Sequence, residues 1–211
     1  MNLMNIEQYY DTWASTYDTV ENRTRDLDAI AVRSTFANAR FSTILEAGCG
    51  TGKNTSFWLE ICDRAIALDF SSEMLAEAQK KLNSPNLEFQ VADISRPWEI
   101  GDRTVDLVTF NLVLEHIQDL KPIFRETSRV LKPSGKLFVC ELHPTRQYLG
   151  GRAEIKTTSN TLQIPSYVHP ISDFIESAEE CGFSLERLKE WWSDRDRNKP
   201  PRLLSLLWTK S

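Results

Sequence analysis

One loop limits what this chain can fold into more than any other feature. Ile44-Leu-Glu-Ala-Gly-Cys-Gly-Thr-Gly-Lys-Asn-Thr55 runs from a short β-branched and apolar segment, Thr43–Ala47, into a helical pattern over Lys53–Cys62. Gly48, Gly50 and Gly52 let the backbone turn sharply and come close to a ligand. The spacing is G-x-G-x-G, which is not the G-x-G-x-x-G dinucleotide fingerprint. A P-loop is excluded as well, because Ala47 stands at its first glycine and Asn54 follows Lys53 where Ser or Thr is required.

The rest of the chain alternates in the same way. Helical spacing appears in residues 5–17, through Ile6, Tyr9, Tyr10, Trp13 and Tyr17, and in residues 24–39. Strands are expected at Arg64–Leu68, Asn86–Ala92, Val105–Phe110 and Lys136–Leu142. Ser71 or Ser72 should cap a helix carrying Met74, Leu75, Ala78 and Leu82. Asp119–Leu131 reads as a helix with Pro122 in its first turn, and Pro133–Gly135 as a turn. A helix at Ile171–Cys181, closed by Gly182, precedes two strands near Leu185–Trp192 and Leu203–Thr209. Such alternation predicts a mostly parallel sheet covered on both faces, with an antiparallel hairpin at one edge.

Ligands bind beyond the carboxyl ends of such strands, so residues just after each strand matter most. Asp69 ends the second strand, where a carboxylate can accept hydrogen bonds from both hydroxyls of a ribose. Asp93 ends the third, where it could accept from an adenine amino group. Either aspartate alone is also explained by a helix cap or an Asx-turn. Three such endings in succession are harder to explain by local structure.

Composition sets the outer bounds. The 211 residues are enough for one sizeable core, and the net charge of -5 argues against a phosphate-binding surface for nucleic acid. Arg195, Arg197, Lys199 and Arg202 form a small basic cluster, but Asp194 and Asp196 interrupt it, so a solvated turn is expected there. The four cysteines form no C-x-x-C pair and the three histidines are scattered, so no metal site is expected. No signal peptide or membrane span is visible, and a reducing cytoplasm is the expected location.

At this point the residues resemble a family. Glu46-Ala-Gly-Cys-Gly-Thr-Gly52 resembles the first motif of class I S-adenosylmethionine-dependent methyltransferases, and Asp69 and Val91-Ala-Asp93 resemble the acidic ends of their next two strands. Val105–His116 and Arg129–Val139 are similar to their fourth- and fifth-strand segments, and Tyr10–Asp18 to the opening of the small-molecule, ubiquinone- and menaquinone-type branch. The resemblance implies an α/β, Rossmann-like, seven-stranded sheet in the order 3-2-1-4-5-7-6, with strand 7 antiparallel and helices on both faces. It implies S-adenosylmethionine as cofactor and a small-molecule acceptor, with S-adenosylhomocysteine as product. It also implies that Glu46 and the glycine loop (Gly48, Cys49, Gly50, Gly52) face the methionine portion and that Asp69 holds the ribose. Phe70 and Met74 would border the adenine, Asp93 and Ile94 its amino edge, Asn111 and Leu112 the transferring methyl, with Tyr17 closing over it.

The expected organisation is one domain, 1–211, with an N-terminal helical lid at 1–40 and an irregular, substrate-facing insertion at 143–170. His116 is the first candidate for a general base and His143 the second, since histidine titrates near neutral pH. Trp13, Tyr148 and His169 are candidates for the acceptor site; Tyr9 and Tyr10 are expected to pack the terminal helix. A monomer or weak homodimer is expected. Competing readings are a nicotinamide oxidoreductase, which the glycine spacing disfavours, a non-catalytic cofactor-binding regulator, and a protein methyltransferase.

Overall fold

The computed structural model describes residues 6–151, 154–156, 161–196 and 198–211. Arg197 and parts of the proposed lid (residues 1–5) and insertion (152, 153 and 157–160) therefore lie outside the described residues. The strands are β1 (Phe41–Ala47), β2 (Cys62–Asp69), β3 (Leu87–Val91), β4 (Val105–Asn111), β5 (Leu131–Leu142), β6 (Glu154–Lys156), β7 (Thr161–Gln163), β8 (Phe183–Trp191) and β9 (Leu203–Lys210). The helices are α1 (Ile6–Trp13), α2 (Arg23–Phe36), α3 (Thr55–Ile61), α4 (Ser72–Lys81), α5 (Leu120–Val130), α6 (Pro144–Tyr148) and α7 (Ile171–Glu180).

Seven strands form one sheet in the order β3-β2-β1-β4-β5-β9-β8, and β6 and β7 pair separately. Counted within the large sheet, this is the expected 3-2-1-4-5-7-6. The pairs among β1 to β5 are parallel, and β9 runs antiparallel to both of its neighbours. Alternation along each strand fills the two faces. Leu45, Val108 and Val139 pack on one side with Phe124 of α5 and Phe174 of α7. Their neighbours Ile44, Leu107 and Phe138 pack on the other with Val32 and Phe36 of α2 and Trp58 of α3. Truncating the larger of these, such as Leu45, Leu107, Phe124 or Trp58, to Ala would cost about 2–5 kcal/mol each.

Local signals account for the element ends. Ser71 caps α4 by accepting a hydrogen bond from the Met74 N–H at 3.1 Å, and Asp119 caps α5 through the Lys121 N–H at 3.0 Å. The Pro133–Gly135 turn is present as a bulge: Leu131 and Lys136 pair with Val105 and Leu107, and Ser134 takes φ 62°. A second bulge falls between Leu185 and Arg187 on β8.

The expectation of an irregular stretch over 143–170 is corrected, because it contains α6 and the small β6–β7 hairpin. His143 accepts from the Thr145 N–H at 3.2 Å and so starts α6, with Pro144 in the first turn. The solvated turn expected at residues 194–202 is also corrected: Asp196 is 1% exposed and is bonded by the Arg202 Nε at 2.6 Å. Among the described residues no helix is long and apolar enough to cross a membrane.

Candidate active site

The parallel register brings the strand ends level. Ala47 on β1 pairs with Leu68 of β2 and with Phe110 of β4, and Asp69 pairs with Val91 of β3. The chain then turns sharply after β1, where the N–H groups of Gly48 and Cys49 both donate to the Leu68 carbonyl, at 2.7 and 2.9 Å. Gly48 has φ +80°, and a Cβ there would lie 2.3 Å from Cγ2 of Val113, so only glycine fits. Gly50 differs: its φ is +54°, and a Cβ would meet nothing within 4 Å, because this side of the loop opens into a cavity.

That cavity encloses about 760 Å³ above the strand ends. Its wall includes Tyr17, Glu46, Gly48, Cys49, Gly50, Asp69, Phe70, Met74, Asp93, Ile94, Asn111 and Leu112. Gly52 is not on the wall. A Cβ there would lie 2.7 Å from Leu82 of the chain following α4, so this glycine serves packing of the loop.

The acidic groups of the wall are held by hydrogen bonds. Asp69 accepts from the Gly50 N–H at 2.8 Å and from the Ser71 N–H at 2.9 Å, and burial pushes its carboxyl up to about 6. Glu46 accepts from the Thr55 hydroxyl, and burial pushes it up to about 8. Asp93 is half exposed and sits in an Asx-turn, accepting from the Ser95 N–H at 2.9 Å and the Ser95 hydroxyl at 2.6 Å. Partial burial opposes its ionisation, but the Ser95 bonds and Arg96 hold it below the usual carboxylate range.

Several residues of the site carry no motif. Asp28 of α2 lines the cavity and accepts from the side-chain amides of Asn54 and Asn111, both at 2.7 Å. Arg25, one turn earlier, donates to the carbonyls of Tyr17 at 2.6 Å and Val20 at 3.0 Å and stacks 3.9 Å from the centre of the Tyr17 ring. Its Nε is buried without a hydrogen-bond partner. Helical spacing in 24–39 was their only trace in the sequence. Tyr10, expected to pack, lines the cavity and bonds His116.

The segment 6–18 forms one side of the cavity through Ile6, Glu7, Tyr10 and Tyr17 and is tied to the glycine loop and α4. Asp11 accepts from the Ser71 hydroxyl at 2.6 Å, while Asp18 accepts from the Thr51 hydroxyl at 2.9 Å and from Lys81 at 2.6 Å. Trp13 is buried against Ala14, Met74 and Ile164 and is not on the wall, so its acceptor-site assignment gives way to packing.

Of the three histidines only His116 reaches the cavity. His143 is buried at the start of α6, which it caps, with its Nε2 3.0 Å from Glu190. His169 is buried with its Nε2 donating to the Ile117 carbonyl at 2.8 Å and its ring against Phe174. Tyr148 is 65% exposed on α6 and off the wall; Tyr167, from the same region, is on it.

Residues 45–139 match the methyltransferase domain family. The chain is 37% identical over 101 residues to a malonyl-[acyl-carrier protein] O-methyltransferase of Hamiltonella defensa, covering 48% of this chain and 38% of that protein. It is 28% identical to a ubiquinone biosynthesis O-methyltransferase of Xanthomonas oryzae pv. oryzae, covering 72% of this chain and 63% of the relative. The chain thus spans less than two thirds of the length of either relative. A solved structure from Listeria monocytogenes, described as a putative S-adenosylmethionine-dependent methyltransferase, superposes with a TM-score of 0.76 at 19% identity, covering 89% of this chain and 99% of that one. The fold is that of the class I methyltransferases. The matched segment contains the glycine loop and the strand-end residues Asp69, Asp93 and Asn111, and S-adenosylmethionine is the cofactor that this fold and segment indicate. The wall fits such a cofactor: buried carboxylates suit a sulfonium and an ammonium, Asp69 suits a diol, and the open side of Gly50 admits a close approach.

Proposed function

We propose that this chain transfers a methyl group from S-adenosylmethionine to a small-molecule acceptor that meets it beside His116. The carrying observation is the single continuous cavity, which runs from the carboxylates at the strand ends to Tyr10, His116, Pro165 and Tyr167. When bound, S-adenosylmethionine supplies a methyl group already activated on a positively charged sulfur. The residues have only to bind, orient and keep water out, and proximity alone can contribute about 7–11 kcal/mol.

In this reading Asp69 takes the ribose hydroxyls, with its carboxylate oriented by the Gly50 and Ser71 N–H groups. Phe70 and Met74 border the adenine, and Asp93 and Ile94 meet its amino edge. Glu46 and Asp28 offset the positive charge of the methionine portion, and the free Nε of Arg25 suits its carboxylate. Asn111, held by Asp28, and Leu112 flank the methyl. Residues 6–18, within the proposed 1–40 lid, cover the reaction. The quinone and malonyl acceptors named for the two relatives suggest the chemical range to probe.

Calorimetric titration with S-adenosylmethionine and S-adenosylhomocysteine, on wild type and Asp69→Ala with NAD as control, tests the cofactor. Micromolar binding lost in the variant is expected; preference for NAD would sink the reading. Turnover is then followed with catechol, butylamine and the malonyl thioester of N-acetylcysteamine as probe acceptors. A non-catalytic regulator would bind the sulfur nucleotides and methylate none of them.

A further inference from the structure

We infer that Tyr10 is the group that takes the acceptor's proton, passing its own to His116, and that the acceptor atom is therefore a hydroxyl oxygen or an amine nitrogen that arrives carrying a proton. This rests on the methyltransferase reading above.

The hydrogen bonds of His116 decide the direction. Its Nδ1 lies 3.0 Å from the Pro165 carbonyl oxygen, and its Nε2 lies 2.8 Å from the Tyr10 hydroxyl. A carbonyl can only accept, so in the neutral ring Nδ1 carries the proton. Nε2 then has only its lone pair to offer, and the Tyr10 hydroxyl donates to it. The one basic position of the imidazole is thus covered by Tyr10, and an acceptor in the cavity meets the phenol oxygen first. Both side chains are on the cavity wall, and the Tyr10 ring is braced edge-on against Phe70, 5.6 Å between centres.

The transfer balances without any further reagent. The acceptor's X–H bond breaks and its proton moves to the Tyr10 oxygen, while the Tyr10 O–H bond breaks and that proton joins the lone pair of His116 Nε2. The electron pair left on X forms the bond to the methyl carbon. The carbon–sulfur pair returns to sulfur, whose positive charge disappears as one appears on the imidazole. Burial, then the nearby Tyr17 and Glu115, push the Tyr10 phenol well above its ordinary value, so a free phenolate is disfavoured and the two proton movements belong together. Glu115, buried beside His116, is placed to balance the imidazolium.

The charge of the wall points the same way. Among the described residues its cations are Arg25 and Lys53. Arg25 donates to the Tyr17 and Val20 carbonyls, and Lys53 is bonded to Asp26 at 2.5 Å. None stands at the Tyr10–His116 edge to receive a carboxylate acceptor, which would need no base.

The test uses protein with ¹⁵N-labelled histidine, saturated with S-adenosylhomocysteine, in long-range proton–nitrogen NMR; His116→Asn assigns the ring. The expected result is a His116 protonated at Nδ1, whose Nε2 signal moves in Tyr10→Phe while S-adenosylhomocysteine affinity stays within about threefold. A proton on Nε2, or an Nε2 signal indifferent to Tyr10→Phe, overturns the relay. With catechol or butylamine as acceptor, each single variant should lose about 10²–10⁴-fold in kcat. The double variant should be no slower than the slower single, because both act in one chain of proton movement. Additive losses, or methylation of the malonyl carboxylate, also overturn it. If no probe turns over, the ring-nitrogen result decides alone. Failure of the wild type to bind S-adenosylhomocysteine would instead remove the methyltransferase reading.

Discussion

Asp28 and Asn111 are 83 positions apart in the chain and 2.7 Å apart in the fold, where the Asn111 amide donates to the Asp28 carboxylate. The other carboxylate oxygen takes the Asn54 amide, so one side chain of α2 ties the end of β4 to the glycine loop. Asp28→Ala should leave two amides without an acceptor. At about 1–3 kcal/mol for an unsatisfied buried group, urea unfolding should show a clear loss of stability. Affinity for S-adenosylhomocysteine should fall too, because Asn111 and the loop lose their shared anchor.

Glu46 should make cofactor binding a proton-linked event. With its carboxyl raised to about 8 by burial, it holds a proton at neutral pH in the free protein. A cationic ligand favours the carboxylate, so binding should release protons, and affinity should rise with pH through the window from about 6 to 8. Calorimetry at pH 7 in two buffers of different ionisation enthalpy measures this. Net proton uptake would contradict it, and Glu46→Gln should abolish the release.

Stability without ligand depends on Glu46 and on a second buried carboxyl, Glu141 of β5, which accepts from the Val113 and Leu114 N–H groups at 2.9 and 2.8 Å. Glu46 and Glu141, both raised by burial to about 8, bind their protons more tightly folded than unfolded. Their contribution is therefore full below about pH 4.5 and is lost as pH rises through 8. The Tm of the free protein should fall between pH 5 and 8, and a Glu141→Gln variant should show a flatter profile over that window.

Two glycines of one loop should respond differently to the same change. Gly48→Ala drives a methyl group into Val113 at a position with φ +80°, and should destabilise the fold outright. Gly50→Ala meets no protein atom and should cost only the left-handed backbone penalty of about 1–2 kcal/mol. Its methyl group would occupy the open side of the loop, so S-adenosylhomocysteine affinity should drop at least tenfold. Thermal melts paired with titrations separate the two effects.

His143→Ala tests a structural assignment. The ring caps α6 and meets Glu190, so about 0.5–2 kcal/mol of stability should be lost, as for other caps. S-adenosylhomocysteine affinity should not change. A tenfold change would return His143 to the site.

The sheet was legible because its signals are local. The apolar strands, the glycine loop and the aspartates at positions 69 and 93 each sit within a few residues of the turn they explain. Asp28 and Arg25 were not legible: a polar residue inside a helix looks solvated until the helix is docked, and these two turn inward. His143 and His169 misled for a related reason. Sequence places all three after strands or before a helix on the correct edge, but which ring turns to the cavity depends on contacts from afar: Pro165 for His116, Glu190 for His143, Ile117 for His169. Trp13 and Tyr10 show the same limit within one helix, since a three-residue offset sends one ring to the core and the other to the wall.

The bulge on β8 bears on how the molecule behaves in a crowded solution. Glu186 is the extra residue between the pairs Leu185–Trp208 and Arg187–Leu207, and its carboxylate turns back to Lys136 and Thr209. Beyond it the exposed border strand carries Arg187, Lys189 and Glu190. A strand that is kinked and charged is a poor template for a foreign strand. The open margin of the sheet is thereby guarded against edge-to-edge aggregation, and replacing Glu186 and Lys189 with β-branched apolar residues should make the protein precipitate at concentrations where the wild type stays clear.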